Sequence, residues 1–384
     1  MSTIVIQDHE GAGELTRSLA DASAFALDCE AAGFHRYTDR LCLVQLTVDG
    51  RTFVLDPLAL DLSDLLREPL ADPDVRVLMH GADYDVRLLD RDLGLRIRGL
   101  FDTQVAASLL GEPVLGLSPL LDRHLGVTLA KKYQRADWAQ RPLPQDMIEY
   151  AASDTHYLAQ LVSILEEALV KADRVTWAVE EFTLLERIEW EENADEDPVV
   201  RVKGARKLLP RDVAALREAL GWRDEIARAK DRAPFRVAGD EALVAVARER
   251  PRTMNGLQRI KGISRGMARS AGEDLLRRVR AVEDVPAGEL KGYPPIERTG
   301  PGRPPPEIEE LAMRLKEARN RRAEALGLAR GTLMSNATLM EIARRGPRSE
   351  AALGEVPGVK QWQMQAVGTD LLEVLRTEGS AKTR

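Results

Sequence analysis

The sequence has few cysteines, few aromatic residues and no long apolar run. Its only cysteines, Cys29 and Cys42, cannot form a disulfide framework, and both lie in strand-like apolar segments where we expect buried thiols. No apolar run approaches the roughly 20 residues that a membrane span requires. The first residues also lack the basic and apolar segments of a secretion signal, so we expect a cytoplasmic protein that does not enter a membrane.

Two further absences limit the possible functions. No GxxxxGK[ST] segment is present, so the sequence lacks the phosphate loop of a helicase motor. Aromatic residues make up only 4% of the chain and are scarce in its second half. Nucleic-acid recognition by that half should therefore be mainly electrostatic and sensitive to salt.

Charge is distributed unevenly along the chain. Residues 1–200 contain 18 basic and 37 acidic side chains, whereas the remainder contains 37 basic and 25 acidic ones. This asymmetry is typical of an enzyme that acts on a polyanion, with carboxylates around catalytic cations and Lys and Arg elsewhere holding phosphates. Solvated helix faces of uneven charge are the alternative explanation.

Residues 1–172 are predicted to form one domain that mixes strands and helices. The runs AFALDCE, LCLVQLTV and TFVLDP follow each other closely, as consecutive antiparallel strands do. The later runs VRVLMHG and LFDT are also strand-like, and each precedes a helical segment. Apolar residues at helical spacing predict a closing helix over 144–172. The pattern indicates an α/β or α+β domain.

The rest of the chain is predicted to be helical. A helix-compatible acidic segment, 173–204, leads as a linker or docking edge into two similar units at 205–285 and 304–378. A Pro- and Gly-rich linker at 286–303 separates the two units. The two units align without an insertion at an offset of 96 residues, and glycines coincide as well as apolar residues. We interpret the second half as an internal duplication.

Four carboxylates and a phenol are candidate catalytic groups. Asp28 and Glu30 are two residues apart in a strand-like run, so their side chains project from one face. Tyr150 and Asp154 are four residues apart in the closing helix and share a face as well. Asp85 lies at the start of a helix that follows a strand, where α/β sheets collect ligand-binding groups.

Structural explanations compete for Asp28 and Glu30, and for two further acids: Asp83, which rivals Asp85 as the fourth carboxylate, and Asp102. Asp28 and Glu30 could lie on an exposed edge strand, while Asp83 is expected to begin a helix and Asp102 to cap the next one. Oxygen donors without accompanying Cys or clustered His suit hard cations such as Mg²⁺ or Mn²⁺. A pair of such ions would serve the hydrolysis of phosphodiesters.

These residues form a pattern that resembles a known family. Asp28-x-Glu30, Asp85 and Tyr150-x3-Asp154 resemble the motifs of the DEDD exonucleases, in their tyrosine-bearing branch. The segments YTDRLCLVQLTV, FDTQVAASLLG and RADWAQRPLPQDMIEYAASDTHYL resemble the ribonuclease D family. The repeated units resemble HRDC domains, small helical bundles that bind nucleic acid. The resemblance implies an RNase H-like (DnaQ-like) α/β exonuclease domain with a mixed sheet, followed by two all-α HRDC-like bundles.

The resemblance also implies a role for each motif residue. Asp28 would bridge two divalent metal ions, Mg²⁺ or Mn²⁺, while Glu30 and Asp154 would hold one ion and Asp85 the other. Tyr150 would orient the attacking water, because a phenol with a pKa of about 10 is a poor base at neutral pH.

The chain departs from the family at one point. Many members carry a bulky aromatic residue directly after the motif glutamate, whereas Ala31, Ala32 and Gly33 follow here, and only then Phe34. The contact with the terminal base is therefore left without an assigned residue.

Substrate-binding candidates are basic or polar residues near the acids and in the first repeat. They are Gln45, Lys131, Arg135, Arg141, Arg259, Lys261 and Arg265. Trp138 is expected to be a core residue, and His80 a hydrogen-bonded structural one.

The function that the resemblance implies is 3′-5′ exoribonuclease activity. The enzyme would release nucleoside 5′-monophosphates from single-stranded 3′ ends of RNA, including precursors of tRNA and other stable RNA, and no obligate protein partner is evident. A single-stranded DNA exonuclease of the same fold and a non-catalytic RNA-binding adaptor are the alternatives. The complete set of motif residues argues against the adaptor.

Overall fold

The computed structural model of the chain describes residues 3–130, 132–191, 196–295, 302 and 304–381. Six strands are found in this part of the chain. They are β1 (Thr3–Ile6), β2 (Ala24–Ala31), β3 (Leu41–Val48), β4 (Arg51–Leu55), β5 (Arg76–Met79) and β6 (Leu100–Asp102).

The strands form one mixed sheet in the order β1-β4-β3-β2-β5-β6. Strands β2, β3 and β4 are antiparallel neighbours, as the sequence predicted. Strands β5 and β6 run parallel to β2, and β1 runs parallel to β4. The antiparallel half of the sheet therefore meets the parallel half at β2, which carries Asp28 and Glu30.

Eight helices of the described chain belong to the catalytic part. They are α1 (His9–Ala20), α2 (Ser63–Ala71), α3 (Asp83–Leu93), α4 (Thr103–Leu109), α5 (Leu117–Leu125), α6 (Gln145–His156), α7 (Leu158–Lys171) and α8 (Val175–Glu186). The closing helix predicted over 144–172 is two helices, which Tyr157 separates. The sequence did not predict β1, α1, α2 or α5. Two glycines, Gly11 and Gly13, weaken the helical signal of α1.

In the described part of the second half, ten α-helices follow in two sets of five, and the second set repeats the first. The helices α9–α13 are Pro210–Ala229, Pro234–Val237, Asp240–Glu249, Met254–Arg259 and Arg265–Ala281. The helices α14–α18 are Pro306–Leu326, Arg330–Leu333, Asn336–Arg345, Glu350–Gly354 and Gln361–Ala381. Every helix of the second set begins 96 residues after its counterpart, and Gly262 and Gly358 both adopt positive φ, at 96° and 84°. The predicted duplication is confirmed.

The first bundle, α9–α13, has its own hydrophobic core and contacts the loop that follows β2. The backbone N–H of Ala233 donates to the carbonyl of His35 at 3.0 Å. Arg236 contacts the His35 ring nitrogen at 2.8 Å, and the Tyr37 hydroxyl donates to Asp224 at 2.9 Å. The bundle is therefore joined to the strand connection directly downstream of Glu30.

The second bundle, α14–α18, shares one continuous hydrophobic core with the catalytic part. The rings of Trp177 in α8 and Trp362 in α18 stack with centroids 5.0 Å apart. Glu181 accepts hydrogen bonds from Lys360 and from the indole of Trp362, and Glu180 accepts from two backbone N–H groups at the start of α18. The segment predicted as a linker thus contains a helix that docks the second bundle.

None of the described helices is long and apolar enough to cross a membrane.

The stacked tryptophans lead to a first prediction. Trp362→Ala should lower the free energy of unfolding by about 3–5 kcal/mol, because Trp362 is 2% exposed and its removal leaves a cavity and takes one hydrogen bond from Glu181. Urea denaturation followed by far-UV circular dichroism measures the change. Met313→Ala, at a position 62% exposed on α14, is the control and should change stability by less than about 1 kcal/mol. Equal effects of the two substitutions would contradict the docking role of Trp362.

Candidate active site

Strand β2 presents two carboxylates on one face of the sheet. Asp28 lies opposite Gln45 of β3, and Glu30 lies opposite Leu43. Cys29, between them, is 9% exposed and packs into the main core on the other face, as strand alternation requires. The pairing register shifts between Glu30 and Ala31, so the regular ladder ends where the second carboxylate stands.

Helix α6 brings a third carboxylate to the pair. Its buried face packs on β3 and β4, and the Thr155 hydroxyl forms a hydrogen bond of 2.7 Å with Thr47 of β3. This contact fixes the rotation of the helix beside Asp154. Carboxylate oxygens of Asp28, Glu30 and Asp154 all lie within 4.8 Å of one another. Residues from two distant parts of the chain thus form one acidic cluster.

Asp85 lies beside this cluster rather than within it. It occupies the first turn of α3 and is 7% exposed. Burial raises its pKa well above the usual value, and the charges of Asp28 and Asp102 add to the effect. Asp83 begins α3 and pairs with Arg87, and Asp102 caps α4 by accepting from two backbone N–H groups. Both of these structural predictions are confirmed.

Burial and mutual repulsion favour the protonated form of the clustered acids. Burial raises the pKa of Asp28 from 3.8 to about 7. Burial and the charge of Asp28 raise the pKa of Asp154 from 3.8 to about 8. The pKa of Glu30 rises from 4.5 to about 10, through burial and then the charges of Asp28 and Asp154.

These acids have no balancing cation among the side chains that the structure describes. Across the described ranges, no ion pair involves Asp28, Glu30, Asp85 or Asp154. Grouped carboxylates without a protein cation are the donor set that hard divalent ions require. The residues present therefore fit a divalent metal site.

Tyr150 contributes a phenol to the same site. Its ring packs against those of Tyr133 and Trp138, with centroids 5.8 and 6.1 Å away. Burial raises the pKa of Tyr150 above its usual range, and the charges of Asp154, Glu30 and Asp28 act in the same direction. The phenol therefore keeps its proton at neutral pH and acts as a hydrogen-bond donor. Trp138 is 2% exposed, which confirms its assignment to the core.

A cleft of about 340 Å³ opens onto the acids. Asp28, Tyr150 and Asp154 line one side, and Gln134 lines another together with the start of α5. This second side was not predicted from the sequence, although Leu-Ser-Pro after Gly116 is a helix-start signal. His80 also lines the cleft, and its ring contacts the Thr103 hydroxyl at 2.9 Å, as expected for a hydrogen-bonded residue.

Two predicted substrate contacts, Gln45 and Arg141, are occupied in structural roles away from the cleft surface. Gln45 is 0% exposed, because β3 is an inner strand covered on both faces, so its side chain cannot meet a substrate. Arg141 donates to both carboxylate oxygens of the buried Asp56, each at 2.6 Å, and to backbone carbonyls, including that of Cys42 at 2.8 Å. It anchors the segment before α6 to the sheet. Lys131 lies outside the described residues.

The remaining candidates are exposed cations. Arg135 follows Gln134 of the cleft in sequence, and Arg259, Lys261 and Arg265 surround the turn before α13. In the described part of the chain no ion pair engages any of these four side chains. Their positions leave them accessible to a phosphate backbone.

The clustered acids lead to a prediction about pH and metal. In metal-free protein the folded state binds more protons than the unfolded state between about pH 4 and pH 8, because folding raises the pKa of Asp28 and Asp154. The free energy of unfolding should therefore fall as pH rises through this window. Added Mg²⁺ or Mn²⁺ should restore the free energy of unfolding. The gain should be greatest near pH 8, because the bound cation then takes the place of the protons that the carboxylates have lost.

Thermal unfolding midpoints measured with chelator and with metal test this prediction. Asp154→Asn should flatten the pH dependence and reduce the gain on adding metal. Asp83→Asn, which removes an exposed acid from the start of α3, should retain both effects. A metal-induced gain that is equal in the two variants would contradict the proposed site.

Comparisons with known proteins agree with this geometry. Residues 3–170 match the 3′-5′ exonuclease domain family, and residues 212–279 and 308–375 each match the HRDC domain. An exosome complex component 10 homolog from Caenorhabditis elegans is 34% identical over 267 residues, or 66% of this chain, and the chain spans 30% of that relative's length.

Two further comparisons extend to ribonuclease D proteins. Ribonuclease D from Sphingobium indicum is 33% identical over 264 residues, which cover 68% of each chain. The crystal structure of Escherichia coli RNase D, an exoribonuclease involved in structured RNA processing, superposes with a TM-score of 0.70 at 25% identity and covers 98% of this chain and 99% of that one. The chain therefore belongs to the ribonuclease D family, with a 3′-5′ exonuclease domain followed by two HRDC domains.

Proposed function

We propose that the protein is a 3′-5′ exoribonuclease that removes nucleoside 5′-monophosphates from single-stranded 3′ ends of RNA, including precursors of tRNA and other stable RNA. The observation that carries the proposal is the cluster of Asp28, Glu30 and Asp154 at the cleft, which no ion pair of the described residues neutralises. Because the cluster uses residues of both β2 and α6, it requires the complete exonuclease fold. An RNA-binding adaptor has no need of buried carboxylates that repel one another.

The exonuclease fold and the donor set imply divalent metal ions. In the proposed mechanism there are two, Mg²⁺ or Mn²⁺, held by Asp28, Glu30, Asp85 and Asp154. Bound ions would supply positive charge for the scissile phosphate and lower the pKa of the attacking water. The position of Asp85 beside the three-carboxylate cluster supports two adjacent ion positions rather than one.

The protein's own groups would position the reactants. The Tyr150 hydroxyl keeps its proton, so it would orient the water or phosphate by donating a hydrogen bond. Tyr133 and Trp138 fix the ring from two sides and limit its rotation. The cleft of about 340 Å³ has room for a terminal nucleotide of a single strand.

The turn before α13 would hold the RNA further from the reaction site. Arg259, Lys261 and Arg265 are exposed there, and the residues 201–285 around them carry 21 basic and 12 acidic side chains. The second bundle is less suited to this task, because residues 286–384 carry 16 basic and 13 acidic side chains. We therefore assign phosphate binding mainly to the first bundle.

The activity is tested on a 5′-labelled single-stranded RNA and on DNA of the same sequence. With Mg²⁺ or Mn²⁺ the RNA should shorten stepwise from its 3′ end, and chelator or Asp154→Asn should stop the reaction. Tyr150→Phe should lower kcat by about 10²–10⁴-fold, since it removes one positioned hydrogen-bond donor but no carboxylate. Equal shortening of DNA would favour a broader exonuclease. Binding of RNA without degradation would favour the adaptor.

The role of the first bundle is tested by charge reversal. Replacing Arg259, Lys261 and Arg265 together with Glu should weaken RNA binding and make the slope of log affinity against log salt shallower by about two units, at about 0.7 per phosphate contact. Turnover at saturating RNA should change little. The matched control reverses three exposed cations of the second bundle, Lys316, Arg321 and Arg348. If the control weakens binding as much, the assignment to the first bundle is wrong.

A further inference from the structure

The phenylalanines of this chain divide into two groups. Four of the six are in the core, at 6% exposure or less: Phe25, Phe53, Phe101 and Phe182. The other two, Phe34 and Phe235, are 39% and 50% exposed. Although 201 positions separate them in the sequence, their rings lie 5.4 Å apart, between centroids. The two exposed phenylalanines therefore form a single aromatic surface.

This surface lies on the junction between the catalytic part and the first bundle, and it carries positive charge. The guanidinium of Arg135 lies 5.6 Å from the centre of the Phe34 ring, and that of Arg236 lies 5.0 Å from the same point. Arg135 comes from the segment before α6, and Arg236 comes from α10. Each side of the junction thus contributes one phenylalanine and one arginine.

Two short stretches of chain connect this surface to the active-site cleft. Arg135 is adjacent to Gln134, which lines the cleft, and its carbonyl contacts the ring of His35 at 2.8 Å. Phe34 follows Glu30 by four residues. The turn between them is fixed by the Gly33 N–H, which donates to Asp39 at 2.7 Å, and a Cβ at Gly33 would lie 2.5 Å from the Asp39 carboxyl carbon. The position of Phe34 relative to Glu30 is therefore set by the fold.

A purely structural role does not explain the exposure of these rings. At the junction with the second bundle, the stacked Trp177 and Trp362 are 8% and 2% exposed, as expected for side chains that hold two units together. Phe34 and Phe235 leave much of their surface in water, although burying it would be favourable. Exposed aromatic rings flanked by arginines are the groups that bind single-stranded nucleic acid, through base stacking and phosphate contacts.

We propose that Phe34 and Phe235, with Arg135 and Arg236, form a composite platform on which a base of single-stranded RNA stacks as the strand enters the cleft. The arginines hold the adjoining phosphates. The platform supplies the base contact that Ala31 and Ala32 cannot make, and it gives the first bundle a direct part in substrate positioning. The inference rests on the proposed function, because it assumes that the strand bound at the cleft is RNA.

The test measures RNA binding by fluorescence anisotropy in an Asp154→Asn background, where the strand is not degraded. Phe34→Ala and Phe235→Ala should each weaken binding of a short single-stranded RNA by about tenfold. A series of RNAs, each with one abasic nucleotide, locates the stacked base. On the RNA that lacks that base, the two substitutions should change affinity by less than about twofold, because no stacking partner remains.

Two conservative variants separate stacking from packing. Phe34→Trp should retain the affinity of Phe34, whereas Phe34→Leu, which keeps an apolar side chain without a π face, should lose it. Trp190→Ala is the control: Trp190 is 41% exposed and lies 4.7 Å from the guanidinium of Arg91 in the last turn of α3, whereas Asp85 lies in the first turn. Its loss should leave binding unchanged. Thermal midpoints of all variants report on folding.

Three results would overturn the platform. They are unchanged affinity in both alanine variants, an equal loss on every abasic RNA, or full retention of affinity by Phe34→Leu. The unmodified enzyme is tested on the same RNA in parallel. If it does not shorten the RNA, the proposed function fails. A base-dependent loss of binding would then still support the platform, so failure of the function and failure of the inference are distinguishable.

Discussion

Repulsion between neighbouring carboxylates determines what the sheet and its covering helices must hold in place. Asp28, Glu30 and Asp154 lie within 4.8 Å of one another, no cation of the described chain pairs with them, and Asp85 is buried beside them. Left alone, such groups would move apart or keep their protons. The sheet prevents the carboxylates from moving apart, because β2 is an inner strand and α6 is held to β3 by apolar packing and by Thr155. The fold thus maintains an electrostatic cost that a divalent cation relieves.

The two helical bundles have the same ancestry and different relations to this centre. The first keeps a separate core and leaves Arg259, Lys261 and Arg265 exposed. The second merges its core with the catalytic part, and its Lys360 is committed to Glu181. Exposed charge on one copy and buried contact on the other explain why the net charge differs so much between repeats. Duplication has produced one bundle suited to substrate and one suited to support.

The parts of the site that depend on local geometry could be predicted from the sequence. The alternation of side chains along a strand predicted that Asp28 and Glu30 lie on one face. Helical spacing predicted the same for Tyr150 and Asp154. The fixed offset of the repeats gave the helices of the second half. Asp102 could be assigned as a cap because its hydrogen bonds reach only two and three residues ahead.

The parts that depend on distant partners could not be predicted. Arg141 looked like a phosphate ligand because Asp56, its partner in the structure, lies 85 residues away. Gln45 is polar, so nothing in the sequence indicated that it lies on an inner strand with no exposed surface. Phe34 and Phe235 carry no sequence signal that would bring them together. The glycines of α1 weaken its helical pattern in the sequence, and packing against the core stabilises the helix nevertheless.

The shared core of the second bundle has a consequence for how this chain tolerates sequence change. A substitution inside that bundle alters packing that also supports α8 and the sheet, so its effect reaches the whole catalytic unit and lowers the amount of folded protein at a given temperature. The first bundle has a core of its own, so its surface is free to diverge while the enzyme stays folded. Drift in substrate preference should therefore accumulate in one repeat, and temperature-sensitive alleles in the other.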